Sequence, residues 1–460
     1  MTQLWTTSDL LEATGGAIDV PFGANGVSID TRTLRPGDLF VALLGEGRDG
    51  HAFVLDALAK GAAGAMVHRA IPGAKNLLSV DDTLAGLTRL GGFARVRTGA
   101  KVVAVTGSVG KTTTKEMLRT ILSAFGQTHA AEASYNNHWG LPLTLARMPL
   151  NTAFCVVEIG MNHAGEIAPL SGVARPHIAI ITAVEKAHIG YLGSIEAIAD
   201  EKAAIMRGLE PGGLAVLPLD SPHFPRLRNA AAGIRVATFG SSQGATGRLM
   251  EIEPDANGSG ILAEVDGREV RFRLNAPGRH MAMNALTALT AAHALGLDPQ
   301  AAAYALERFA PLTGRGARRK LALPAGTALL LDESYNGNGA SMRAAMEVLR
   351  LQPARRRIAV LGDMLELGDA GPAEHAGLAE AVAQSADLLF TSGPLMRHLF
   401  DAVAAKLRGA HAADAAALAP LVAQAIAAGD AVLVKGSLGS RMQRVVDALD
   451  SLVPTQEGAG

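Results

Sequence analysis

The chain has 460 residues, 48% of them apolar and 18% charged, with 42 Lys and Arg set against 43 Asp and Glu. That is a globular composition, too long for a single core, and it lacks the bulk positive field that would attract nucleic acid. No run of about 18 apolar residues is available to cross a bilayer, and the single Cys155 excludes an internal disulfide or a cysteine-based zinc site. Length alone suggests about three domains. The N-terminus shows no basic stretch leading into an apolar one, so no signal peptide and no membrane insertion are expected, and the chain reads as cytoplasmic.

Residues 1–98 form the first expected unit. Thr7-Ser8-Asp9 opens a helix. Strand signals follow at Val27 to Ile29 and Leu39 to Leu43, around the turn Arg35-Pro36-Gly37-Asp38. A helix is expected from His51 to Gly64, with Phe53, Val54, Leu58 and Ala62 apolar. Two strand-end loops hold polar groups: Ser28, Asp30, Thr31 and Arg32 in one, Arg48, Asp49 and His51 in the other. Two loop arginines among glycines suit a diphosphate; an ordinary solvated loop fits the same residues.

Residues 99–312 form the second unit, and it carries the strongest motif. The β-branched run Val102 to Thr106 leads into Gly107-Ser108-Val109-Gly110-Lys111-Thr112-Thr113 and then a helix with Met117, Leu118, Ile121 and Leu122 on one face. Strand, glycine loop and helix N-terminus together make a phosphate cradle, in which Lys111 reaches the outer phosphates and the Thr112 hydroxyl ligates Mg²⁺. The loop is shorter than the usual phosphate loop, since Val105 stands where its first glycine belongs.

A polar turn, Ser134 to Pro142, holds Asn136 and Asn137, residues that often only form turns. The strand Ala153 to Val157 ends in Glu158, where Mg²⁺ ligands sit in such folds. A strand from Ile178 to Val184 leads to His188, and a helix from Ser194 to Leu209 carries Lys202. Alone, a His or a helix Lys in such places is more often structural. Hairpin signals surround Asp255 to Gly260, and the helix Met281 to Leu295 carries Asn284 one turn beyond His280.

The third unit is expected over 313–460, after a hinge at Pro311 to Gly316 that includes Arg315. Strand Ala328 to Leu331 runs into Asp332-Glu333-Ser334-Tyr335-Asn336-Gly337-Asn338, and a helix follows from Ser341 to Leu351. Strands at Arg357 to Leu361, Leu388 to Thr391 and Ala431 to Val434 alternate with helices, one of them amphipathic within Ala412 to Ala428. The expectation is an α/β protein of three domains whose parallel sheets bind ligands at their strand C-termini.

Taken together, these motifs resemble the Mur ligases, ATP-dependent amide ligases that build the peptidoglycan stem peptide. SIDTRTLRPGDLFVALLGEGRDGH is similar to their uridine-nucleotide domain, TGSVGKTT to their shortened phosphate loop, and VEIGMNHAGEI to their metal-binding strand end. YNNHWGLPLTL, AHIGYLGSIEAIADEK and GRHMAMNALTA resemble the substrate turn, the segment of the metal-ligating His and carbamylated Lys, and the adenine helix. DESYNGNGASM and LGDMLELG resemble the branch that adds D-alanyl-D-alanine. The chain departs from the family pattern at Gly337 and Gly339, at Ala204, and over Ala183 to Lys186.

The resemblance implies a small N-terminal uridine-nucleotide domain, a central phosphate-loop ATPase domain and a C-terminal Rossmann-like domain. It implies ATP and Mg²⁺ as cofactors, and as substrates a UDP-N-acetylmuramoyl-tripeptide and D-alanyl-D-alanine, used by a monomer through an acyl phosphate. Thr112 and Glu158 would hold one metal; His188 and a carbamate on Lys202 would hold a second. Asn284 would meet adenine, Asp332 the ribose and Arg315 the phosphates. Tyr335, Asn336 and Asn338 would join Asn136, Asn137 and the N-terminal loops in binding substrate. Sibling ligases adding a diamino acid, or a folylpolyglutamate-type ligase, are the alternatives. A nucleotide switch without ligase activity would account for Gly107 to Thr113 alone.

Overall fold

The computed structural model describes residues 3–45, 47–131, 135–186 and 189–452. Three main sheets organise them. The first has the spatial order Ala17–Ile18, Leu77–Ser79, Gly64–Val67, Asp38–Val41, Gly26–Ser28, parallel except for its first pair. Its opening helix Thr7–Thr14 is capped by Thr6 and Asp9, whose side chains each bond the other's backbone N–H. The helix expected from His51 to Gly64 is instead a 3₁₀ turn, Gly50–Phe53, and a short helix, Val54–Ala59. Gly61 at φ +93° takes the chain out of helical geometry, and Gly64–Val67 becomes a fully buried strand. The helix Thr83–Val96 covers this sheet through Leu87 and Leu90.

The central sheet has nine strands: Arg268–Leu274, Ser259–Val265, Gly247–Pro254, Arg235–Gly240, Leu214–Pro218, Ile178–Ile181, Lys101–Thr106, Phe154–Glu158 and Thr128–Ala130. Six of the strands, from Arg235–Gly240 to Thr128–Ala130, are mutually parallel, and the strand Gly247–Pro254 pairs parallel to them before turning into an antiparallel meander. Both faces are covered, so Val102 to Val105 form a continuous apolar run rather than an alternating one. Val103 and Val105 face one core, shared with Met117, Leu118, Ile121 and Leu122 and with the helix Arg279–Ala294. Val102 and Ala104 face the other, shared with the helices Ile167–Ala174 and Ile195–Ala203. Helices from both layers therefore converge on the same strand C-termini.

The last sheet runs Ala317–Leu323, Gly326–Glu333, Asp430–Lys435, Arg356–Gly362, Leu388–Ser392, Arg408–Ala412. Its last five strands are parallel, as expected, but Ala317–Leu323 is an antiparallel edge strand that the alternation of strands and helices did not announce. The helix Ala415–Ala425 accommodates Pro420. The N-terminal and central units are joined by packing of Leu143 and Ala146 into the first core, and by the Trp5 indole donating to the Ala146 carbonyl at 3.0 Å. Among the described residues no helix is long and apolar enough to cross a membrane.

Candidate active site

The phosphate loop is shaped by what surrounds its two glycines. Gly107 lies at φ +149°, and a Cβ there would stand 1.9 Å from the Thr182 hydroxyl. Gly110 lies at φ +82°, where a Cβ would come within 2.5 Å of Asn284 Oδ1. A side chain at Gly107 would run into Thr182 and the Ala183 backbone, and one at Gly110 would have to push the Asn284 amide aside from a left-handed backbone position. The Ser108 hydroxyl donates to the Glu185 carbonyl at 3.0 Å and accepts the Glu185 N–H at 2.9 Å. Thr182 donates to the Val109 carbonyl at 2.5 Å. The loop is thus tied to the end of the neighbouring strand on both sides of its turn. The helix Lys111–Ser123 then starts with no side-chain cap, which leaves its N-terminal dipole open to an anion. Lys111 Nζ turns back to the Gly107 carbonyl at 2.8 Å. Burial holds its ammonium below the usual lysine range, Glu158 opposes that shift, and Arg315 adds to it.

Glu158 ends the strand next to the loop, paired in register with Val105. It is buried, and its two oxygens are shared: Thr112 Oγ1 donates to one at 2.7 Å and Asn136 Nδ2 to the other at 2.8 Å. A hydroxyl and a carboxylate in contact at the phosphate cradle are hard oxygen donors of the kind Mg²⁺ takes. Asn137 has a different part, its Oδ1 accepting the Gly140 N–H at 2.9 Å to open the helix Gly140–Ala146. A cavity of about 210 Å³ joins this cluster to Asn162, Glu166, Arg315, Tyr335 and Asn336. Among the described residues, no three His, Cys, Asp or Glu side chains gather as a metal cage.

Lys202 lies in the helix Ile195–Ala203 and is 2% exposed, not the solvated surface lysine that its acidic neighbours would suggest. Burial, and then the charge of Lys111, drive its pKa well below the usual lysine range. Its neighbour Glu201 accepts the Gly165 and Ile167 N–H groups, each at 2.8 Å, fixing this helix to the loop after Glu158. His188 lies outside the described residues.

A second cavity, of about 180 Å³, is lined from the central unit by Val109, Gly110, Thr113, His280 and Asn284, and from the last unit by Arg315, Glu333, Asn336 and Lys435. Asn284 Oδ1 is 3.5 Å from the Thr114 hydroxyl beneath the loop. Arg315 stacks 4.0 Å above the Tyr335 ring. Asp332 is fully buried and does not line the cavity. Its Oδ1 accepts the Ser334 hydroxyl at 2.6 Å, and its Oδ2 has no hydrogen-bond partner, Arg319 standing 3.6 Å away. Asn338 caps the helix Gly339–Arg350 reciprocally with Ser341, which commits its side chain to the backbone.

What spacing alone missed is that Glu333 and Lys435, each at a strand C-terminus, meet in this cavity. Strand order brings them together, since Glu333 is the register partner of Lys435. The Lys435 ammonium donates to Glu333 at 3.2 Å and to the Asn336 carbonyl at 2.9 Å. Nothing local in the sequence pairs two residues so far apart.

The N-terminal loops are far more self-contained. Arg32 grips Asp30 with its Nε 2.9 Å from one oxygen and its Nη2 2.5 Å from the other, which holds the Asp30 carboxyl down to about 2. Ser28 is buried and donates to the Asp30 carbonyl at 3.0 Å. The Thr31 carbonyl accepts Lys60 at 3.4 Å. Asp49 accepts His51 Nδ1 at 2.7 Å and also pairs with Arg69. His51 Nε2 takes the His68 N–H at 3.2 Å, so both ring nitrogens are engaged within the fold. Arg48 is exposed at the loop edge.

The fold and site define an α/β nucleotide enzyme whose phosphate loop sits under a second α/β unit. The chain matches the profiles described as Mur ligase family, catalytic domain (residues 24–80), Mur ligase middle domain (105–292) and Mur ligase, glutamate ligase domain (298–438). It is 33% identical to the UDP-N-acetylmuramoyl-tripeptide–D-alanyl-D-alanine ligase of Bacillus subtilis, over 92% of this chain and 93% of that one. In structure it is similar to MurF from Acinetobacter baumannii, with a TM-score of 0.86 and 31% identity over 97% of this chain and 99% of that one. MurF ligase from Thermotoga maritima in complex with ADP aligns with a TM-score of 0.79 at 25% identity, over 93% of this chain and 97% of that one. The chain belongs to the Mur ligase family and is an ATP-using ligase.

Proposed function

We propose that this enzyme joins D-alanyl-D-alanine to a UDP-N-acetylmuramoyl-tripeptide at the expense of ATP, in peptidoglycan precursor synthesis, as a cytoplasmic monomer. The observation that carries the reading is the convergence at one cleft of the phosphate loop, the Thr112–Glu158 pair and the Arg315–Tyr335 stack of the last unit. The named relatives, similar over nearly their whole length, support the choice of substrates. Residues 1–98 would take the uridine nucleotide, 99–312 the ATP and 313–460 the dipeptide.

Amide formation in water needs an activated acyl group. The γ-phosphoryl of ATP passes to the acceptor carboxylate, the dipeptide amine attacks the acyl phosphate, and inorganic phosphate leaves. Lys111 exchanges its contact with the Gly107 carbonyl for the outer phosphates, and the open helix N-terminus receives the others. Thr112 and Glu158 would hold Mg²⁺, which supplies neutralisation of the phosphate charge when bound. Asn136 orients Glu158 by its hydrogen bond. Asn284 stands under the loop where adenine would lie, while Asp332, the ribose candidate, is fully buried outside the cavity lining with Arg319 3.6 Å from its Oδ2. Lys202 is suited to a carbamate, because burial shifts the lysine toward its neutral amine, the form that is nucleophilic toward carbon dioxide. With His188 it would ligate a second metal.

The test is mass spectrometry of the product formed from a panel of UDP-muramoyl peptides, ATP and either D-alanyl-D-alanine or a diamino acid. A pentapeptide product from the tripeptide and D-alanyl-D-alanine is expected. A tripeptide product from the dipeptide and a diamino acid would replace this reading with that of a sibling ligase.

A further inference from the structure

The strand end that fastens the phosphate loop also reaches the last unit. Glu185, whose backbone is bonded twice to Ser108, is followed by Lys186, and the Lys186 ammonium lies 2.8 Å from Glu374 Oε1 in the helix Gly371–Ala376. A few residues on, the Gly190 N–H donates to the Glu366 carbonyl at 3.1 Å, and Ile189 packs against the core of the last unit that holds Leu361 and Met364. Gly339 lies beside this contact, where a Cβ would stand 3.0 Å from Arg343 Nη1 and 3.3 Å from Glu374 Oε2. His223 and Arg343 also face Glu185.

We propose that Lys186 and Glu374 are positioning residues for ligation, an ion pair that sets the C-terminal unit against the strand end carrying the phosphate loop. Neither side chain touches the reacting atoms. Their part is to raise the fraction of molecules in which Arg315, Tyr335 and Lys435 close over Gly110 and Lys111. The pair is half exposed on the lysine side, with 56% of that side chain accessible and 21% of the Glu374 side chain, so its contribution is modest and sensitive to salt. For its kinetic readout the proposal rests on the ligase reading above.

Charge reversal tests it. Lys186→Glu and Glu374→Lys should each lower kcat/KM for the dipeptide amine by about fivefold at low ionic strength, the scale of exchanging a surface attraction for a repulsion. The double reversal should return to within about twofold of the original, and at high salt the single variants should approach it. Small-angle scattering with a non-hydrolysable ATP analogue should show a larger radius of gyration for the single variants than for the original or the double reversal. Lys186→Met and Glu374→Gln remove the pair without repulsion and serve if a reversal folds poorly. Unchanged kinetics and scattering in the single variants, or a double reversal no better than the worse single, would overturn the proposal. An original enzyme that does not join the dipeptide would instead defeat the ligase reading, leaving the scattering comparison to judge the ion pair.

Discussion

The loops of the N-terminal sheet and the strand-end cluster of the central sheet both collect charge, and they treat it in opposite ways. Around the N-terminal loops three described acids are paired: Asp30 with Arg32, Asp49 with His51 and Arg69, and Asp56 of the following helix with Lys60. In the central cluster Lys111 donates to a carbonyl of its own loop and not to a carboxylate, and Lys202 is carried deep into the core. Both are held below the usual lysine range by burial. Glu158 and Glu201 offset part of that burial but not all of it, and buried cations of this kind persist where a ligand supplies further anionic charge or a modification removes the cation. The central cluster thus keeps buried cations for a phosphate, while in the N-terminal loops Arg32 and Arg69 are already engaged by carboxylates and Arg48 is left exposed.

The largest effect is expected at Lys202. Lys202→Ala and Lys202→Arg should both lose nearly all ligation while ATP still binds, since neither side chain can form a carbamate and the guanidinium keeps its charge; full activity of Lys202→Arg would remove the carbamate. Acidification tests the same group with a definite sign. Its pKa is lowered in the folded protein, so the amine is neutral above that value and is charged as pH falls through it. Bicarbonate-dependent activity should therefore decline toward acid pH in a pH–rate profile.

Lys111→Ala should keep the fold and lower turnover by at least about a hundredfold, the scale of losing one contact to developing charge, as read by phosphate release. Asn136→Ala leaves Glu158 with only Thr112 to orient it. It should raise the Mg²⁺ concentration needed for half-maximal rate by about tenfold, as for other partners that orient a metal ligand. An unchanged Mg²⁺ titration would place the metal elsewhere.

The smallest effect is expected at Arg32. Arg32→Ala should raise the KM for the uridine nucleotide substrate by about threefold, because an exposed paired arginine has little free charge to offer. The Asp30 carboxyl is depressed to about 2, so its contribution to stability is present above the unfolded value of about 3.9 and is lost only as pH falls through about 2. A large Arg32 effect would erase the distinction between the two regions.

Much of the central cleft was legible because its chemistry is local. Gly107, Gly110 and Lys111 sit on one strand–loop–helix turn, and Glu158 ends the next apolar run. What was hidden depends on distant packing. The burial of Lys202 follows from the packing of its helix, through Ile198, Ala199 and Ala203, against one face of the central sheet, while its acidic neighbours Asp200 and Glu201 suggest solvent. Glu333 and Lys435 meet only because Asp430–Lys435 inserts beside Gly326–Glu333. The apolar residues from Phe53 to Ala62 fit a helix by period, and the glycines at 61 and 64, with the neighbouring strand, decide otherwise. Asn338 has the composition of a binding loop and the geometry of a cap.

The most direct test of the account is phosphate release from ATP and Mg²⁺ with the UDP-muramoyl-tripeptide and D-alanyl-D-alanine each present or withheld. Release in step with amide formation is predicted only when both are present, because the phosphates held by Lys111 have no acceptor without the carboxylate and the acyl phosphate none without the amine. Release from ATP alone at the same rate would contradict it and make this cleft a nucleotide hydrolase.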